Sequence, residues 1–418
     1  MRNRVLVYGM HGYRNLGAEA RLVAIVDQLR RIVPDAEVVA NSLHRTALDY
    51  LRELGARVHY FPPALYRPAG RRLIRTADCV ILSEGAMIGD RFSPALLNAL
   101  VTAIEQTGRE GIASVGLALD SNYISPGRRE RAVRALNSIS LLTVRAPGCD
   151  EHLRSYGVEA EMPVTADCAV SMPLPGEGVR RRVRERWGLG DGPVHGIAPV
   201  DFHMWPALMR PVGRPSDYVR WPYRATYPDG GRRRSAELRA RWVEHARYLL
   251  STDRRARVAI VIQDRGDVRF AYRIHRELGV PERSFVIDGQ VSDPFEMSAA
   301  YSQMETLTSS RYHAIVLASA YAVPFVALGH DNRTQFYCQD IGLEKLFVAH
   351  DEPDATAAVR ERHELLGPER DGIRERIEAG FAEMRERDAV NYRLLGDLLE
   401  GLGHRVSREP APRPTTVG

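Results

Sequence analysis

Five consecutive residues, Ser309-Ser310-Arg311-Tyr312-His313, combine the groups that acid–base chemistry on an anion needs. An apolar run, Glu305 to Thr308, reads as a strand, and the spacing after it predicts a helix from about Arg311 to Ala320. Ser309 and Ser310 suit the cap of that helix. Arg311 and His313 then fall in its first turn, where free N–H groups and the helix dipole attract anions. Arginine adds a permanently charged planar fork, and histidine a proton donor or acceptor near neutral pH. An anionic substrate that must also be protonated would use all three. The same residues also fit a structural role, with the arginine paired to a local acid and the histidine bonded to a carbonyl. Residue types alone leave both readings open.

Other candidates sit where strands are expected to end. His330, Asp331 and Arg333 follow the strand Pro324 to Leu328, at the carboxyl end where parallel sheets bind ligands. Gln263-Asp264-Arg265 holds a similar place. Near the start, Asn15, Gly17 and Glu19 lie in the turn from the first strand into the first helix. That turn lacks G-x-G-x-x-G, which argues against a nicotinamide dinucleotide. Glu84, in Ser83-Glu84-Gly85-Ala86, and Arg145 occupy two later strand ends. His203 belongs to a stretch, 202–239, that lacks clear periodicity and is rich in aromatics and arginines. It reads as a lid or acceptor-binding insertion, or as a surface excursion packed on its own aromatics.

Short apolar strands alternating with helical segments must position these groups, which predicts doubly wound, mostly parallel α/β sheets. The chain has 418 residues, enough for two domains. The expected division is a first domain over 1–172, a linker and helix over 173–192 and a second domain over 193–350. Terminal helices over 351–404 and a disordered tail over 405–418 follow. Seven strands are expected in the first domain, the last over Glu161 to Thr165, and five in the second.

Composition narrows the class. Hydrophobic residues make up 44%, but no run is long enough to span a bilayer. The opening apolar run reads as a strand and not a signal peptide. The four cysteines lack pair or metal spacing, so reduced thiols in the cytoplasm and no metal site are expected. The net charge of +5 is almost all arginine without aromatic interleaving, which argues against a nucleic-acid face.

Several segments together resemble the polysaccharide pyruvyl transferase family. Asn15-Leu16-Gly17-Ala18-Glu19-Ala20 is similar to its G-N-x-G-D-E-A segment, with Ala18 in place of the acid. Thr143-Val144-Arg145, followed after a helix by Ala166-Asp167-Cys168-Ala169, is similar to a second. Ser310-Arg311-Tyr312-His313-Ala314 through Gly329 is similar to S-R-L-H-A with its helix and strand. Glu84 departs from the Gly-rich turn usual after the fourth strand. The resemblance implies two Rossmann-like domains facing across a cleft, as in GT-B glycosyltransferases, with the acceptor side first and the donor side second. It implies phosphoenolpyruvate as co-substrate, no further cofactor, and a pyruvate ketal on a sugar-type acceptor. Arg311 and His313 take the donor-binding and catalytic places. Ser309, Ser310, Asn15, Gly17, Glu19, Glu84, Arg145, His203, His330, Asp331 and Arg333 are the expected substrate-binding set. A nucleotide-sugar glycosyltransferase on the same plan and a non-catalytic glycan-binding member are the competing readings.

Overall fold

The computed structural model describes residues 3–90, 94–189, 192–204, 208–210, 224–329 and 332–408, with backbone alone for 208–210 and 224–226. The chain divides into two compact units. Unit 1 takes the chain through Pro173 and again from Glu383, and unit 2 runs Leu174–Ala382.

Unit 1 is built on six parallel strands: β1 (Arg4–Tyr8), β2 (Glu37–Ser42), β3 (Arg57–Tyr60), β4 (Cys79–Leu82), β5 (Ala113–Leu119) and β6 (Leu141–Val144). Their order is β3-β2-β1-β4-β5-β6. In unit 2, β7 (Val194–Ala198) is followed by a short antiparallel hairpin, β8 (Leu208–Arg210) and β9 (Arg224–Thr226). Then come β10 (Arg257–Ile262), β11 (Ser284–Asp288), β12 (Thr306–Ser309), β13 (Phe325–Gly329) and β14 (Phe347–Ala349). The second sheet has the order β11-β10-β7-β12-β13-β14, again parallel throughout. Both units are therefore doubly wound and Rossmann-like, as the alternation predicts. The central strands are buried from end to end, which is why they read as continuous apolar runs. Strand order reverses between β1 and β4, and between β7 and β12. The carboxyl ends of those pairs flank the crevice where such sheets take ligands.

Four expectations change. Glu161 to Thr165 is not a strand. Pro163 can accept from Val144 but has no N–H to give, so only one bridge forms, between Val144 and Val164. The second sheet gains a sixth strand, β14, too short at Phe347–Ala349 to show a pattern. The segment expected to be irregular contains the start of a helix, Gly231–Thr252, entered through Gly230 at a φ of 70° and buried along Ser235, Leu238 and Trp242. Finally, the Ser407 N–H bonds the Ile32 carbonyl at 2.8 Å, so the chain is still tied to unit 1 where a disordered tail is expected. Residues 409–418 lie outside the described residues. Two terminal helices form as expected, Ala355–Leu365 and Arg370–Gly401. Among the described residues no helix is long and apolar enough to cross a membrane. All four cysteines are buried free thiols.

Three histidines, His245 and His363 on helices and His195 on β7, bond the hydroxyls of β12 in the core of unit 2. His195 Nδ1 lies 2.8 Å from Thr306 Oγ1, His363 Nε2 3.1 Å from the same oxygen, and His245 Nε2 2.9 Å from Thr308 Oγ1. All three rings are buried. Burial first, then the neighbouring histidines, pushes His245 down to about 3 and His363 to about 4. Burial also lowers His195, against the pull of Glu305 and Asp253. A histidine kept neutral in the fold but free to charge when unfolded stabilises above its unfolded pKa, near 6.5. That contribution is lost as pH falls toward the folded value. His363 alone would cost on the order of 3 kcal/mol between pH 7 and pH 4. In His363→Gln, the unfolding free energy from urea titrations should fall less steeply between pH 6.5 and 4.5, by up to one proton. Parallel pH slopes in the two proteins would show that the ring titrates normally.

Candidate functional site

In unit 2 the segment Ser309 to His313 lies at the β7/β12 switch. Pairing with β7 extends past β12, because the Ser310 N–H bonds the Ala198 carbonyl at 3.0 Å. This delays the helix, which runs Tyr312–Ser319 with Arg311 as its N-cap residue. The two serines therefore do not cap it. Ser309 Oγ instead accepts from the Arg311 N–H and donates to the Arg311 carbonyl, both at 2.9 Å, and so fixes the turn. Ser310 is 1% exposed, and its hydroxyl has no hydrogen-bond partner among the described residues. His313 is the second residue of the helix and half-buried, with its ring 5.0 Å from that of Tyr312.

Arg311 is held by a carboxylate that sequence reading did not single out. Its Nε reaches Asp267 Oδ2 at 2.9 Å and its Nη2 contacts Oδ1. Asp267 ends a one-turn helix after β10, in a capping box with Asp264. The aspartate is buried, while the arginine side chain keeps 25% exposure. Burial pushes the Asp267 carboxyl up to about 6, against the opposing pull of Arg311. The local-acid pairing is thus real. It takes one edge of the guanidinium and sets the plane of the other. Nearby, Gln263 Nε2 contacts the Tyr301 hydroxyl. The only signal for Asp267 in the sequence is its place in Gln263-Asp264-Arg265-Gly266-Asp267, at a strand end.

The same edge of the sheet carries His203, in the turn after β7. The ring of Phe202 lies 4.8 Å from His203 and 4.6 Å from His350. His350 is anchored on the Gly329 carbonyl at the end of β13. Burial first, then the charge of Arg234, pushes His203 down to about 4, so it is neutral at physiological pH. Asp201, also missed by sequence reading, receives the Tyr227 and Ser235 hydroxyls at 2.6 and 2.7 Å. Arg333 is half-buried at the start of the helix Asn332–Asp340. His330 and Asp331 lie outside the described residues.

Unit 1 gathers its candidates at the β1/β4 switch. Asn15 caps the helix Leu16–Ile32 through Ala18, Gly17 is buried in the first turn, and buried Glu19 accepts from the Tyr50 hydroxyl at 3.0 Å. Asn41 brackets Gly9 on both sides, at 2.9 and 2.8 Å. His11 Nε2 sits 2.7 Å from Ser83 Oγ and is pushed down to about 3 by burial and then Arg21. Glu84 is pushed up to about 7 by burial, opposed by the Met10 backbone N–H and Arg21. It therefore titrates near neutrality.

Arg145 is more deeply committed than a substrate-binding arginine would be. Its Nη1 meets Asp167 at 2.7 Å and its Nη2 meets Asp120, with 3% of the side chain exposed. Arg21, fully buried, forms an ion pair with Asp167 at 2.9 Å and donates to the Ser83 carbonyl at 3.1 Å and the Leu117 carbonyl at 2.8 Å. Two arginines and two aspartates thus close a neutral network beneath Gly85. A Cβ on Gly85 would come within 3.0 Å of Arg145 Nη1 and 3.4 Å of Arg21 Cζ. Gly85→Ala should therefore cost about 1–3 kcal/mol, since both guanidiniums are pinned. Chemical denaturation measures this. A loss under about 0.5 kcal/mol would mean that the arginines yield at little cost.

The sequence model of the family described as Polysaccharide pyruvyl transferase matches residues 15–332. Among solved structures, Anabaena Alr3699/HepE in complex with UDP-glucose superposes with a TM-score of 0.60 at 11% identity, over 95% of this chain and 99% of that one. The S. aureus MnaA–UDP structure gives 0.60 at 11%, over 99% of each. A putative UDP-N-acetylglucosamine 2-epimerase from Listeria monocytogenes gives 0.59 at 13%, over 99% of this chain and 98% of that one. At such identities the likeness is one of fold. No match is found among curated proteins by sequence.

Proposed function

Because the chain belongs to the polysaccharide pyruvyl transferase family, we propose that it moves the pyruvyl group of phosphoenolpyruvate onto a sugar or sugar-containing acceptor as a ketal, releasing phosphate. The observation that carries this reading is the position of the family-matched Ser310-Arg311-Tyr312-His313 turn. It lies at the carboxyl ends of β7 and β12, with Arg311 oriented by Asp267 and the N–H groups of a helix start beside it.

In this scheme Arg311 and the helix start hold the phosphate or carboxylate of the donor. His313 gives a proton to the methylene carbon. C2 becomes oxocarbenium-like, and an acceptor hydroxyl adds to it and returns its own proton to His313. The second hydroxyl then displaces phosphate, which leaves with that hydroxyl's proton. The proton count closes without a redox or metal step, so phosphoenolpyruvate serves as co-substrate with no further cofactor. The acceptor is a small sugar-type molecule. The second reading, transfer from a nucleotide sugar, draws on the fold shared with structures holding UDP and UDP-glucose. Calorimetry with phosphoenolpyruvate and with UDP- and GDP-sugars separates the two. Saturable binding of a nucleotide sugar alone would select the second.

General acid catalysis contributes roughly 10²–10⁴-fold. His313→Ala should therefore lose about that factor in turnover while its melting temperature stays within a few degrees. Wild-type turnover by this variant would remove His313 from the chemistry. For Arg311→Lys the Asp267 pairing sharpens the expectation. A single ammonium would be claimed by the buried carboxylate, leaving no second edge for an anion. Phosphoenolpyruvate affinity should drop at least tenfold by calorimetry. An unchanged dissociation constant would take Arg311 out of the donor site.

A further inference from the structure

A groove of about 490 Å³ opens in unit 1 between the sheet edge and the helix Tyr66–Ile74. It belongs to none of the groups described above. Arg4, which lines it, is the first residue of β1, whereas Gly9 and Glu84 stand beyond the other end of that strand and of β4. A five-residue strand separates the two ends by roughly 16 Å.

The walls differ from those of a packed interface. On the helix side the lining residues are Leu65, Pro68, Ala69, Arg72, Leu73 and Thr76, the stripe that should face the sheet. Proline and alanine are too short to reach it, so the space stays open. On the sheet side β3 offers Arg57 and His59, both exposed, over a floor of Val39. Leu65 is 50% exposed at the rim.

Charge in the groove is one-sided. Arg4 and Arg57 share one carboxylate, Glu37, at 2.7 and 3.1 Å. Burial pushes that carboxyl up, but its two arginine partners hold it below its usual range. Arg72 is exposed and has no ion-pair partner among the described residues. No acidic residue occurs between Phe61 and Ala77, a run that also carries Arg67 and Arg71, while its Arg75 pairs with Glu110 at 2.8 Å. His59 is lowered mainly by burial, with smaller contributions from Arg57 and Arg4.

We infer that this groove binds an anionic amphiphile, with a phosphate head against Arg57 and Arg72 and a single alkyl chain along Leu65, Ala69 and Val39. Guanidinium groups favour phosphate over a simple point anion. A volume of this size suits a small ligand with an apolar body. The inference is independent of the pyruvyl-transfer reading, since it concerns the opposite end of β1.

The probe is decyl phosphate, kept below its micelle concentration and titrated into the whole protein by calorimetry. It should bind at least tenfold more tightly than inorganic phosphate. Arg72→Glu should weaken it at least tenfold, and so should Ala69→Phe, which fills the space from the helix side. Arg72 makes no ion pair, so its variant should melt like wild type, and this separates lost binding from lost folding. Equal affinity for decyl phosphate and inorganic phosphate would overturn the inference, leaving a surface anion patch only. So would wild-type affinity in both variants. Sedimentation with phosphatidylglycerol vesicles without binding of the monomeric amphiphile would overturn it too, in favour of a membrane-facing surface.

Discussion

An arginine taken out of water must be matched by a carboxylate, and both sheets are organised at their carboxyl ends around that constraint. In unit 1, Arg21 and Arg145 are satisfied by Asp167 and Asp120 together with two backbone carbonyls. In unit 2, Arg311 is matched by Asp267. The difference lies in exposure. The unit 1 arginines are sealed in and act as struts for the Ser83 to Gly85 turn. Arg311 keeps a quarter of its surface in solvent, so only there does the pairing orient a cation that a substrate can still reach. Leaving the unit 1 arginines without their acids would strand buried charges.

That contrast recasts the two arginines that the family resemblance brings forward. Arg145 and Arg311 follow the ends of β6 and β12 and look alike in sequence. The first is closed over by two acids, and the second is steadied by one. Glu84, where a Gly-rich turn is usual, puts an acid titrating near neutrality beside Gly9 and the buried His11. Candidate groups therefore stand in both units, Glu84 in unit 1 and Arg311 with His313 in unit 2.

Periodicity made most of the fold legible. Strands such as β1, β4, β7 and β10 are buried along their length, so their apolar runs announce them. The Ser309 to His313 segment was legible as a site because it follows such a strand. Its partner was not. Asp267 lies 44 positions before Arg311, and only strand order brings β10 and β12 to either side of β7. The cap was misread for a related reason. Serine is a good capping residue, but Ser310 stays in the ladder with Ala198, and that tertiary pairing outweighs local preference. β14 was missed because three residues carry no period, and β8 and β9 are equally short.

The long helix Arg370–Gly401 has a consequence for how the protein is made. Its second half supplies Asn391, whose side chain receives the Thr143 and Thr165 hydroxyls and donates to the Ala166 carbonyl at 3.2 Å. Those groups belong to unit 1, yet Asn391 leaves the ribosome only after all of unit 2. Unit 1 therefore cannot finish folding when its own sheet has been synthesised. It must wait, with the polar edge near β6 open to water or to a chaperone, until the helix around Asn391 has been made.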